Sequence, residues 1–243
     1  FPAPKQTLMS SVVHECHLIG EINRYTNIVF KPYSIELPAI PHNVINTFPG
    51  FSWMDYTPKK IYKPEDSMLM TFLFEVYNFS NPDMLQLNYL LNFFAWKIQF
   101  PFLRSEKIWC VVSKIHGVGK SSIFSIFEFL FGKSLCLFHC TLDSLCCRFN
   151  AANSSKLIHH IDDLHGCSNK KDTRKLFPLA TTHRIIYEAK GEKRVQLDEY
   201  AEIFITSNSE SPLYIGVQDR RQVILQVDPC WKGNKLKFDQ LYK

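Results

Sequence analysis

Ile108-Trp109-Cys110-Val111-Val112-Ser113-Lys114-Ile115-His116-Gly117-Val118-Gly119-Lys120-Ser121-Ser122-Ile123-Phe124-Ser125-Ile126-Phe127-Glu128-Phe129-Leu130-Phe131 divides into three parts of different chemistry. The first five residues are a continuous apolar run, the pattern of a strand buried on both faces. Ser113–Lys120 carries two glycines and predicts a loop, and Ser121–Phe131 predicts an apolar helix. Strand, glycine loop and helix in that order make a phosphate-binding arrangement. Glycines let backbone N–H groups close around phosphate oxygens, and the helix N-terminus adds its positive end. Gly117, Val118, Gly119, Lys120, Ser121 and Ser122 are therefore the candidate nucleotide-binding residues. Lys120 would neutralise the β- and γ-phosphates, and the Ser121 hydroxyl would coordinate Mg²⁺. The first glycine of the full pattern is replaced by Lys114.

A phosphate loop of this kind works with an acidic group at the end of a neighbouring strand. Leu157–Ile161 is a second strand candidate and ends in Asp162-Asp163. Asp162 would hold the metal and Asp163 would polarise the attacking water. His159 and His160 make that strand polar, one facing a helix and the other a polar cavity. Beyond it come a helix around Lys170–Ala180, a hairpin and two short strands. The hairpin joins Arg184–Glu188 to Arg194–Leu197, with Gly191 at its turn; the strands are Ile203–Thr206 and Gln222–Val227. Upstream, Leu87, Leu90, Leu91, Phe94 and Ile98 fall on one helical stripe, read as a packing face. Strands alternating with helices over residues 84–243 argue for an α/β domain with a mainly parallel sheet.

Residues 1–60 hold seven of the prolines (Pro2, Pro4, Pro32, Pro38, Pro41, Pro49, Pro58) and only short apolar runs, as in a small irregular lobe. The chain is accordingly divided into a loop-rich lobe and linker, 1–66, and the α/β domain that carries the phosphate loop, 67–243. At 243 residues and 46% hydrophobic composition a sizeable core is available, which excludes disorder throughout. The longest apolar runs fall short of a membrane span. A net charge of +5 permits a nucleic-acid partner without requiring one. The chain begins at Phe1 without a leader pattern, which reads as part of a longer protein. Eight cysteines in a chain of this length read as reduced thiols of an intracellular, non-secreted protein. The sets His14/Cys16/His17, Cys136/His139/Cys140 and His165/Cys167 lack the spacing of a structural zinc site.

Ala201-Glu202-Ile203-Phe204-Ile205-Thr206-Ser207-Asn208, a strand ending in Thr-Ser-Asn, follows the acidic pair and resembles motif C of superfamily 3 helicases. Asp219-Arg220-Arg221-Gln222-Val223-Ile224 resembles that family's arginine-bearing strand entry, and Tyr187–Arg194 its β-hairpin. Tyr25–Pro32, Asn46–Phe51, Ala95–Gln99 and Arg148-Phe149-Asn150 resemble segments of phage, plasmid and large-DNA-virus primase-helicases. The resemblance implies a P-loop NTPase core of AAA+-like kind, its sheet flanked by helices, acting as an ATP-dependent replicative DNA helicase. It implies a homo-hexameric ring on single-stranded DNA, ATP and Mg²⁺ as cofactors, a primase domain or subunit as companion, and no membrane. If viral, the compartment would be host cytoplasm or nucleus. Asn208 would sense the γ-phosphate, Arg220 or Arg221 would reach across a subunit interface, and Lys190, Lys193 and Arg194 would grip DNA. Three alternatives stay open: a catalytically weakened nucleic-acid-binding replication module, an RNA-directed member of the same superfamily, and a ring ATPase that remodels protein.

Overall fold

Parallel strands at the centre of a sheet are buried on both faces, which favours apolar side chains in both directions. Three segments of this chain are buried in this way, with His159, His160, Glu202, Thr206 and Ser207 as their polar members. Ile108–Val112 (β3), Ile158–Ile161 (β5) and Glu202–Ser207 (β8) are buried at every position. In a computed structural model that describes residues 27–34, 40–51, 53–54, 63–78, 84–162, 164, 170–214 and 219–242, these strands form the centre of a five-stranded sheet. Its order is β4-β5-β8-β3-β9, with Cys136–His139 as β4 and Gln222–Gln226 as β9. Every pairing in it is parallel, with Ile108 opposite Ile203 on one side and Gln222 on the other.

The period of two along each strand sorts the core into two layers. Ile108, Cys110 and Val112 of β3, Ile161 of β5, and Ile203 and Ile205 of β8 face one layer. They pack there against Leu142 and Leu145 of α4 (Leu142–Leu145) and Leu176, Phe177 and Ala180 of α5 (Lys170–Thr181). On the other face Trp109 stacks on Phe204 at 5.4 Å, with Phe93 of α2 (Leu85–Gln99) and Phe127 of α3 (Ser122–Phe131) closing around the pair at 4.3 and 4.4 Å. His160 falls in this layer and stacks on Phe124 of α3 at 4.9 Å. Its neighbour His159 points the other way, bonds His139 at 3.1 Å and lines a small polar cavity with Arg104, Asn153 and Glu199.

The seam of α2 differs from the stripe read in the sequence. Leu87, Leu90, Phe93, Phe94 and Lys97 are buried, whereas Leu91 and Ile98 are only half-buried. Lys97 is 0% exposed and donates to the carbonyls of Pro101, Leu103 and Tyr200. Glu202 of β8, also buried, lies 3.7 Å from its ammonium. Burial pulls the Lys97 amine down to about 8, Glu202 opposing the shift. A charge buried with a partner and three acceptors is tolerable where an isolated one is not.

Three helical elements absent from the sequence reading complete this part: α1 (Met68–Tyr77), α4, and α6 (Lys235–Leu241). α1 starts at Ser67, whose hydroxyl accepts from the Met70 N–H, and buries Phe72 against Trp231 at 5.0 Å. Glu75 of α1 accepts from Trp231 Nε1 and Lys237 Nζ, both at 2.5 Å, which anchors α6. The chain folds as two compact units, one of residues 1–31 and 37–49 and the other of residues 32–36 and 50–243. In the first, Asn27–Val29 (β1) and Val44–Asn46 (β2) pair in parallel. Asn46 clasps Lys31 there through both its N–H and its C=O.

Candidate nucleotide site

Strands β4, β5 and β8 lie to one side of β3 and β9 to the other, so the order of the sheet reverses at β3. The crevice beyond the C-terminal strand ends at such a reversal is where α/β sheets bind ligands. Here it is a cleft of about 590 Å³ that contains His116, Gly117, Val118, Gly119, Lys120 and Ser121 in its wall. Ser122 and Ser125 of α3, Asp162, Thr206, Asn208, and Phe238 and Tyr242 complete the lining.

The loop between β3 and α3 turns on two glycines with positive φ, Gly117 at 71° and Gly119 at 94°. Val118 between them is fully buried and anchors the turn. The chain then enters α3, so the helix N-terminus faces the cleft. Lys120 Nζ donates to the carbonyls of Ser113 and Ile115, at 3.3 and 3.0 Å, and to Asn208 Oδ1 at 2.8 Å. Ser121 Oγ donates to Asp162 Oδ1 at 2.8 Å, and Thr206 Oγ1 donates to the same oxygen at 2.5 Å. Three strand ends thus deliver one polar cluster: β3 through its loop, β5 through Asp162 and β8 through Thr206 and Asn208. Lys114, at the replaced glycine position, bridges to Glu210 beyond β8 at 3.0 Å.

Gly117, Val118, Gly119, Lys120, Ser121, Ser122, Asp162 and Asn208 are therefore together. Asp163 lies outside the described residues, as do His14, Cys16, His17, His165 and Cys167. Arg220, Arg221, Lys190, Lys193 and Arg194 are not among the residues lining the cleft. Arg221 donates to both carboxylate oxygens of Asp219, at 3.0 and 2.8 Å, and its guanidinium lies 3.7 Å from the ring centroid of Phe177. Arg220 is exposed, and its carbonyl accepts from Lys107 Nζ at 2.7 Å. Asp219 holds the Arg221 guanidinium above its ordinary range, and Arg221 holds the Asp219 carboxyl below its own.

Arg184–Tyr187 (β6) and Val195–Asp198 (β7) form the antiparallel hairpin, with Lys190, Gly191 and Lys193 exposed at its tip. Arg194 and Arg148 both bond Glu188, at 2.7 and 3.0 Å, and the hydrogen bonds from Arg148 and then Arg194 depress its carboxyl. Asn150 pins the hairpin by donating to the Ile186 carbonyl and accepting from the Glu188 N–H. The cleft residues that the sequence reading did not assign to the site are His116, Thr206, Ser125, Phe238 and Tyr242. Thr206 was signalled by lying two residues before Asn208, at the C-terminal end of β8. Phe238 and Tyr242 carry an i, i+4 spacing after Asn234, whose side chain caps α6 by accepting from the Lys237 N–H.

Residues 111–221 match the model of a family of unknown function, DUF5906. No curated protein matches the chain by sequence. Among solved structures, the chain is similar to the A form of the apo C-terminal region of NrS-1, with a TM-score of 0.71 and 21% identity over 98% of this chain and 58% of that one. A second apo structure of that region, spanning 305–718, gives a TM-score of 0.69 at 20% identity, covering 90% of this chain and 52% of that one. The shared property is the fold, and the chain spans between half and three-fifths of the NrS-1 region. Among the described residues no helix is long and apolar enough to cross a membrane.

Proposed function

We propose that the chain is the motor part of a ring-forming, ATP-hydrolysing DNA helicase of the superfamily 3 primase-helicase type. Its ATPase domain is residues 67–243, and it works as a homo-hexamer on single-stranded DNA beside a primase domain or subunit. The observation that carries this reading is the cluster of Lys120, Ser121, Asp162, Thr206 and Asn208 at the strand ends around a two-glycine loop. A loop of backbone donors, one ammonium and one carboxylate-hydroxyl pair is the chemistry that a triphosphate and a hard divalent cation require.

The residues fit Mg²⁺: Ser121 Oγ and Asp162 Oδ1 are adjacent oxygen donors at 2.8 Å, the type Mg²⁺ takes alongside substrate phosphates. When bound, the cation would neutralise charge on the phosphate oxygens. The chain's own groups do the rest. Backbone N–H groups of the loop and the α3 end bind the phosphates, and Lys120 sets its ammonium against the β- and γ-oxygens. Asn208, bonded to Lys120, orients water at the terminal phosphate, and Asp163 polarises it. Of the two arginines, Arg221 is committed to Asp219 and Phe177, so Arg220 is the residue assigned to reach a neighbouring subunit's nucleotide. Such a residue accelerates phosphoryl transfer by about 10³–10⁵ in other P-loop enzymes. Lys190, Lys193 and Arg194 of the hairpin contact the DNA backbone, which makes binding salt-dependent and indifferent to sequence.

The test is ATP hydrolysis with and without single-stranded DNA, beside Lys120→Ala. DNA-stimulated turnover that falls by about 100-fold or more in the variant is the expected result. Nucleotide binding that Lys120→Ala leaves unchanged would remove the reading.

A further inference from the structure

The phosphate cleft is bordered by a second groove of about 420 Å³. Its walls are Leu69 of α1, Ser125, Ile126 and Phe129 of α3, and Leu241 of α6. Ser122 and Tyr242 belong to both cavities, as does Ser125. On α3, residues 122, 125, 126 and 129 fall at i, i+3, i+4 and i+7 and form one face. That face leads from the phosphate loop along about 10 Å of helix. Its polarity changes on the way: two serines at the phosphate end, then Ile126, then Phe129, which is 74% exposed. The Tyr242 hydroxyl and Ser122 Oγ are hydrogen-bonded at 2.7 Å, so the residue that follows α6 meets α3 on the border the two cavities share.

We infer that this groove receives the ribose and base of the bound nucleotide, holds the base by stacking on Phe129 and packing against Leu69 and Leu241, and accepts purine and pyrimidine triphosphates alike. The inference rests on the phosphate-binding reading of the cleft. A charged tail, a hydroxyl-bearing sugar and a flat apolar ring follow one another in a nucleotide, and the groove presents matching surfaces in the same order. Selection among bases requires hydrogen bonds to the ring edge, because every base has an equivalent stacking face. Among the described lining residues the side-chain polar groups are the hydroxyls of Ser122, Ser125 and Tyr242, all at the phosphate end. A hydroxyl both donates and accepts, so it does not separate one base edge from another.

Equilibrium binding of ATP, GTP, CTP, UTP and inorganic tripolyphosphate, each with Mg²⁺, tests this on the whole chain, Phe129→Ala, Leu241→Ala and Lys120→Ala. The four nucleotides are expected within about threefold of one another, and tripolyphosphate about tenfold weaker or more. Phe129→Ala is expected to weaken all four nucleotides by about tenfold, the loss of one stacking contact, with tripolyphosphate unaffected and the melting temperature retained. Leu241→Ala gives a smaller loss in the same direction. A preference above about 100-fold for one base, or tripolyphosphate bound as tightly as ATP and lost only in Lys120→Ala, would overturn the groove assignment while leaving the phosphate reading intact. Absence of binding by nucleotides and tripolyphosphate together would overturn both.

Discussion

A methyl group at Gly119 would stand 3.1 Å from the rings of both Phe238 and Phe72, on a backbone held at φ +94°. At Gly117, φ is +71° and no atom would lie within 4 Å of such a methyl. The two glycines of one loop are therefore constrained differently, Gly117 by conformation alone and Gly119 by conformation and by contact with α1 and α6. Gly117→Ala is expected to cost about 1 kcal/mol of stability, the strain of a left-handed residue. Gly119→Ala adds overpacking of another ~1–3 kcal/mol and displaces Phe238 from the cleft, so it lowers both the melting temperature and nucleotide affinity. Thermal melts with and without ATP separate the two effects, and equal behaviour of the two variants would count against a loop seated on α6. Pattern in the sequence identifies both glycines as loop residues, because a phosphate loop needs them. It does not identify Phe238 as a neighbour, since that contact joins segments far apart in the chain. Lys97 makes the same point: adjacent to Ile98 on the helix, it takes the buried position because Glu202 and three carbonyls await it there.

At the scale of elements, β5 carries two buried histidines where an aliphatic strand would be expected. His159 bonds His139 of β4, which also meets Ser144 Oγ; Arg104 and Lys156 are the nearby cations. Burial holds the His139 imidazole down at about 4, against an ordinary 6.5, and His159 well below its ordinary value, with His139 and the cations adding to the effect. Both values are depressed on folding, so between pH 6.5 and 4 the unfolded chain binds more protons and stability falls as pH falls. The slope is about 1.4 kcal/mol per pH unit for each imidazole. Denaturant titrations from pH 7 to 4.5 should record that loss, and His139→Asn should reduce it, with His159 and His160, also held low by burial, supplying the rest. A slope that His139→Asn leaves unchanged would mean that folding does not depress the His139 imidazole. The strand itself was legible from its period of two, which set one histidine toward α3 and the other toward a polar cavity. β4 was not, because Cys136–His139 is short and its edge position leaves Phe138 exposed. α6 escaped for a related reason: its seven residues carry little apolar periodicity, and it is held by Glu75, Trp231 and Phe72 from elsewhere.

At the scale of the whole molecule and among the described residues, the hairpin tip at Lys190 and Lys193 and Arg220 at the entry to β9 are exposed and separate in the sequence. In a closed ring each interface repeats the same heterologous contact, so a site built from two subunits can be damaged from either side. Mixing inactive Lys120→Ala and Arg220→Ala subunits should restore a fraction of DNA-stimulated hydrolysis, since some interfaces then pair an intact loop with an intact arginine. Arg221→Ala should instead lower the melting temperature, because it releases Asp219 and the face of Phe177. No recovery on mixing would place the arginine within its own subunit's site or outside catalysis. The sequence by itself determined the α/β alternation, the strand–glycine loop–helix and the strand ends that carry Asp162 and Asn208. These are local patterns, set by backbone sterics and by the need of buried strands for apolar residues on both faces. Only the tertiary structure decided that Thr206 joins the cluster of Lys120, Asp162 and Asn208 by bonding Asp162, that Arg221 is already paired with Asp219, and that Tyr242 closes on Ser122. Those facts depend on which distant segments pack together, a free-energy choice of the whole core that no local period encodes.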